Sequence, residues 1–221
     1  MRYNAKAELY RYVNWLRSYL GITPYDCSVD VLSLCRQEGT TDIIYRSFET
    51  DGFCGAAFVG DTTDTIVLNS LRSTAEQNFD CGHEVIHLTK HRDRNNGMFN
   101  CFSKGQDSFL EWEANEGAAE FIVSNKIFIP DVASAYPYFS SYSSIISFKH
   151  DMVQKYHATS AMIDFRLESL KYEIYQYLNG VTLDDIAYLS RREQQRKNIQ
   201  IESVIDLENS MLMSCWNSTG A

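Results

Sequence analysis

The sequence predicts an α+β fold, and three observations predict it. Apolar residues recur at helical spacing near the start of the chain and again through its second half. Between residues 42 and 68, three short β-rich runs are separated by glycine-containing turns. Two helical segments that open on serine caps, at Ser73 and Ser108, follow those runs.

Residues 5–20 place Leu9, Tyr12, Val13, Leu16 and Leu20 on one helical face, and Gly21 followed by Ile22 reads as a Schellman stop. A shorter helix is expected over 28–37, ending near Gly39. The period then changes. Asp42–Phe48 carries Ile43, Ile44 and Tyr45; Asp51-Gly52 is a hairpin signal; Phe53–Val59 follows; and Thr65–Leu68 comes after Gly60-Asp61. These runs predict a three-stranded antiparallel meander leading into the next helix. An edge strand beside a cleft would allow an extended peptide to bind by adding itself to the sheet.

Ser73 with Glu76 three residues later is a capping box, and no proline interrupts the chain up to His91. Within this helix lies His83-Glu84-Val85-Ile86-His87. Histidines four apart project from one helix face a turn apart, so both imidazoles can reach one metal ion. Glu84 sits about 100° round the helix from His83 and can reach a water at that metal without ligating it, as a general base does. A His-His site needs a third protein ligand. Ser108-Phe109-Leu110-Glu111 is another capping box, opening a helix with Leu110, Ala114, Gly117, Ala118 and Phe121 on one apolar stripe. Glu111 and Glu113 flank that stripe on opposite sides, and spacing alone does not choose between them.

The run Glu113-Ala114-Asn115, followed by Ala118-Ala119 and preceded by the His-Glu-x-x-His helix, resembles the ImmA/IrrE family of small metallopeptidases over roughly residues 20–130. Gly117 stands where the family pattern has a bulky Phe, and Gly82 where it has Ala. The resemblance implies a zincin-like core at 1–130: N-terminal helices, the sheet, the His-Glu-x-x-His helix and a Glu-bearing helix. A helical C-terminal extension would occupy 131–221. It implies Zn2+ held by His83, His87 and Glu113, with water in the fourth position and Glu84 as the catalytic residue. It further implies a protein substrate, a helix-turn-helix repressor in a mobile-element or stress-response circuit. Manganese or iron suits such a ligand set as well. The rival reading is a non-catalytic, metal-stabilised interaction module that sequesters a repressor.

Other polar residues of these helices are assigned by position. His91 lies about 12 Å along the axis from His83, too far to share its ion, and reads as a C-terminal-turn residue favoured by the helix dipole. Cys81 faces the opposite side with Val85 and Leu88 and reads as core. Glu116 and Glu120 read as solvated helix charges, with a hydrogen bond to a ligating histidine as the alternative. The polar loop 91–106 is expected to form a cleft rim.

A formal charge of −9 argues against phosphate-backbone binding, so direct nucleic-acid contact is not expected. The N-terminus lacks the apolar core of a signal peptide, and no apolar run approaches the roughly 18 residues of a membrane span, which predicts a cytoplasmic protein. Six cysteines without a C-x-x-C pair read as free thiols. Residues 130–147 are Ser- and Tyr-rich and expected to be irregular. Residues 150–178 predict two helices joined near Ala158-Thr159-Ser160, spaced like a helix-turn-helix but without a basic excess on the second. Asn179-Gly180 closes that segment, Thr182 and Asp185 read as a further cap, and Arg191, Arg192, Arg196 and Lys197 form a basic cluster on a solvated face. Residues 205–221 are expected to fray.

Overall fold

The computed structural model describes residues 5–49, 53–100 and 108–219. Ten helices and four strands are formed there, in a mixed α and β arrangement consistent with a small zincin-like peptidase domain. Helix α1, Ala5–Tyr19, ends as expected: Gly21 has φ 74°, Gly21 N–H donates to Ser18 O and Ile22 N–H to Arg17 O, the Schellman pair. Helix α2 spans Val31–Glu38, with Asp30 as its N-cap.

The sheet differs from a meander. Strands β1 (Thr41–Arg46), β2 (Gly55–Phe58), β3 (Asp64–Asn69) and β4 (Met98–Asn100) lie in the order β1-β3-β2-β4. β1 runs parallel to β3, while β2 is antiparallel to both β3 and β4. The reason lies in two local devices. A tight turn at Gly60 makes β2 and β3 a hairpin: a Cβ there would lie 2.0 Å from Thr63 O, so only glycine allows the approach. Buried Asn69, at the end of β3, receives Phe48 N–H and donates to Phe48 O and Phe53 O. It thereby carries the β1 to β2 connection across the end of β3 and leaves β1 on the far side. The Asp51-Gly52 signal lies outside the described residues. β4 comes from the loop read as a cleft rim, which sequence alone gave no reason to call a strand.

Helix α3, Thr74–Lys90, starts on the Ser73–Glu76 capping box and carries the His-Glu-x-x-His residues. Helix α4, Ser108–Ile122, packs along it, and Gly82 of α3 faces Ala118 and Ile122 of α4. Gly117 of α4 faces Ile86 of α3 and Leu9 of α1, which occupy the room that a larger side chain would need; a Cβ would come within 3.1 Å of Ile86 Cγ1. This packing accounts for Gly117; an Ala at 82 would meet Ala118 and Ile122 at ordinary contact distance, so nothing in the packing calls for Gly82.

Helix α5, Asn125–Ala135, runs through Pro130, so the irregular stretch expected from 130 shrinks to a short turn at Tyr136–Tyr138 and a few residues after it. Pro130 removes only one backbone bond from a helix otherwise held by buried Phe128, Ile129 and Val132. Helices α6 (Tyr142–Tyr156) and α7 (Ser160–Ser169) join at Ala158-Thr159 as expected, but the second expected helix breaks at Leu170 and resumes as α8 (Lys171–Leu178), which ends before Gly180. Thr182 and Asp185 close a turn rather than start a helix; the capping box that works belongs to Ser190 and Glu193, opening α9 (Arg191–Arg196). Residues 204–219 form α10, Val204–Thr219, capped by Ser203 and Asp206.

The second half of the chain joins the first through buried charge. Arg166 of α7, wholly buried, reaches Glu116 Oε1 at 3.2 Å and Glu120 Oε2 at 2.5 Å and donates to Tyr10 Oη at 2.9 Å. Arg17 donates to Phe121 O and to Thr23 O and Asp26 O. Lys6 pairs with Glu173 at 2.9 Å, again with both side chains buried. Glu116 and Glu120 are therefore not solvated charges: in α4 they form the face opposite the site, and Arg166 compensates them. Burial nevertheless holds the Glu120 carboxyl up at about 7, against the pull of Arg166, the Asn125 N–H and Arg17. The described cysteines 27, 35, 54 and 81 are free thiols; Cys101 and the Cys215 side chain lie outside the description. No helix is long and apolar enough to cross a membrane among the described residues.

Candidate metal centre

The long α3 helix places His83 and His87 one turn apart, both buried, with their Nε2 atoms 3.0 Å from each other. The carboxylate opposite them is Glu111, in the first turn of α4: Oε2 lies 3.4 Å from His83 Nε2 and Oε1 lies 3.3 Å from His87 Nε2. His83, His87 and Glu111 each offer a ligand atom within 4.8 Å of the others. Asn115, four residues after Glu111 and so on the same helix face, accepts from His83 Nδ1 at 3.1 Å. That bond puts the ring proton of His83 on Nδ1 and leaves the Nε2 lone pair facing Glu111 and His87.

Glu113, the carboxylate that the resemblance pointed to, sits elsewhere. Its Oε2 lies 3.1 Å from His91 Nε2 and its Oε1 3.1 Å from Lys90 Nζ. The physical reason is helical phase. Two residues along a helix turn the side chain by about 200°, so Glu111 and Glu113 cannot both look at the same imidazoles. His91, read from sequence as an end-of-helix charge, is buried and lies 3.0 Å, Nδ1 to Nδ1, from His87.

Glu84 is wholly buried and turned toward β2, where a Cβ on Gly55 would lie 3.2 Å from Glu84 Oε1. Its charge is close enough to help raise the His83 pKa: burial pushes that imidazole down, and Glu111, Glu84 and Asn115 more than offset the push. Burial wins at His87, whose pKa is lowered with His83 and His91 adding to the effect and Glu111 opposing it. Glu111 is held down at about 2, because hydrogen bonds and charge from the two imidazoles outweigh its burial. Beneath His87 lies Phe99 of β4, stacked at 4.6 Å between centroids and 15° between planes. Thus β4 forms one edge of the sheet and touches the site through its central residue.

The donor set fits a divalent ion. Two neutral imidazole nitrogens and a carboxylate are the ligand types that zinc takes in catalytic sites, and three electron-rich atoms facing one point need a cation or protons between them. The sequence model described as the IrrE N-terminal-like domain of the M78 peptidases matches residues 40–168.

The chain belongs to that family.

No curated protein matches it. The matched span contains the whole sheet, both site helices and α7 up to Glu168, Arg166 included, and M78 membership supports a metallopeptidase-type function. The sequence reading of this M78 site weighed Glu111 without choosing it, and it missed Asn115 and Phe99 behind the histidines. Glu111 and Asn115 left a signal, the i, i+4 spacing that puts both on one face. Phe99 left none, because its place depends on sheet order.

Proposed function

We propose that this chain is a zinc-dependent endopeptidase, with the ion held by His83, His87 and Glu111 and with Glu84 as general base. The observation that carries the reading is the convergence of those three ligand atoms, with the outward nitrogen of His83 already committed to Asn115. Bound zinc would supply Lewis acidity toward a peptide carbonyl and acidify a water. Glu84 takes the proton of the attacking water on its carboxylate and returns it to the leaving amine. The outer edge of β4 offers backbone groups to an extended substrate segment, which would align it beside His87.

The proposed substrate is a helix-turn-helix repressor of a mobile-element or stress-response circuit, met in the cytoplasm. This part rests on family membership. Zinc content of wild type, Glu111→Ala and Glu113→Ala tests the ligand set. Near one ion per wild-type chain is expected, lost in Glu111→Ala and retained in Glu113→Ala at saturating zinc; the reverse order would return the third ligand to Glu113. Incubation with the product of an adjacent repressor gene tests the activity. Fragments that disappear with Glu84→Gln support the peptidase, whereas a stable intact complex supports a sequestering module.

A further inference from the structure

Glu113 and His91 are buried polar side chains that the ligand set does not use. Three contacts tie them in line behind the metal ligand. His87 Nδ1 faces His91 Nδ1 at 3.0 Å, His91 Nε2 faces Glu113 Oε2 at 3.1 Å, and Glu113 Oε1 meets Lys90 Nζ at 3.1 Å. His87 and His91 are no more than 3 % exposed, so water does not compete for these bonds.

The hydrogen-bond directions follow from the far end. A carboxylate accepts only, so Glu113 accepts a hydrogen bond from His91 Nε2–H. With one proton per ring, His91 Nδ1 then presents a lone pair. That lone pair accepts from His87 Nδ1–H, and His87 Nε2 is left bare toward Glu111 and His83. We infer that His91 and Glu113 are positioning residues for the metal centre, a carboxylate-to-histidine relay that fixes the tautomer and ring plane of His87. The role rests on the metal-centre reading above and adds to it. His83 obtains the same control from Asn115 in one step. His87 needs two, because Glu113 points away from it and His91 spans the gap. Lys90 holds the second oxygen of Glu113 and keeps the carboxylate turned toward His91.

The test uses the full chain labelled with 15N, whose five histidines are few enough to assign by long-range proton–nitrogen spectra. In metal-free wild type, His87 is expected as the Nδ1–H tautomer. Glu113→Leu removes the terminal acceptor and should replace that pattern by a tautomer average, while Glu113→Gln, which keeps an acceptor oxygen, should preserve it. Zinc affinity, read by competition with a chelating indicator, should fall about 10- to 100-fold in Glu113→Leu, as for loss of an outer partner of a ligating histidine. It should stay near wild type in Glu113→Gln. His91→Phe breaks the relay from the other side and serves if Glu113→Leu does not fold. An unchanged His87 tautomer and unchanged zinc affinity in the Leu or Phe variants would overturn the relay, as would a Gln variant as damaged as the Leu variant. Wild type that takes up no zinc would instead overturn the metal centre, and the positioning role with it.

Discussion

Replacing Arg166 with Met should destabilise the fold by an amount that grows with pH. Arg166 compensates Glu116 and Glu120, which are 2 % and 0 % exposed, and it receives no help from solvent. Removing one partner of such a group costs about 3–5 kcal/mol, because the remaining charge stays buried and uncompensated. Protonation limits that penalty. Burial already holds Glu120 at about 7 with the guanidinium present, and its loss raises the value further. Glu120 therefore enters the folded variant protonated at pH 6. The sign follows from linkage: with a folded pKa above the unfolded one, the stability present below the unfolded pKa is lost as pH rises through the folded value. In wild type that loss is complete a little above pH 7; in the variant it continues, by up to about 1.4 kcal/mol per pH unit for one carboxyl. Urea unfolding of both proteins at pH 6 and pH 8 measures this. A deficit of about 3 kcal/mol at pH 6 that widens at pH 8 is expected. A deficit under about 1 kcal/mol, or one that shrinks as pH rises, would refute the account of a buried compensated triad.

Three further outcomes follow from the packing of α3 on α4 and from a buried charge of α3. Gly82→Ala should stabilise the protein by roughly 0.5–1 kcal/mol, since its Cβ meets Ala118 and Ile122 only at 3.5 Å and glycine weakens a helix interior. Gly117→Ala should instead lose about 1 kcal/mol, because contacts at 3.1 and 3.2 Å to Ile86 overpack the helix pair; thermal melts that rank the two variants the other way would contradict this packing. Asp80→Asn should flatten the pH dependence of stability between about pH 4 and 6. Burial pushes the Asp80 carboxyl up to about 6 against its pair with Arg72, so wild type loses about 3 kcal/mol as pH rises across that window, and the amide variant, which still accepts from Arg72, does not. Parallel stability curves for the two proteins would show that Asp80 is ionised throughout.

Much of this architecture is local and therefore visible in the chain itself. The Schellman stop at Gly21, the Ser73–Glu76 cap and the His83–His87 pair each depend on residues within one or two turns, where backbone geometry alone fixes neighbours. Sheet order is not local. β1 lies beside β3 because Asn69 gathers the backbone of Phe48 and Phe53, a contact that spacing does not reveal.

The sequence by itself determined that two histidines share one helix face with a glutamate about 100° round from the first, that a second helix carries candidate carboxylates, and that the chain is α+β. Only the tertiary structure decided which carboxylate faces the histidines. Glu111 and Glu113 differ by about 200° of helical phase, and that phase acquires a meaning only when α4 is docked on α3 by Gly82, Ala118 and Ile122. The same docking turns Glu116 and Glu120 inward to Arg166, a residue some fifty positions away, and so converts apparent surface charge into the buried tie between the two halves of the chain.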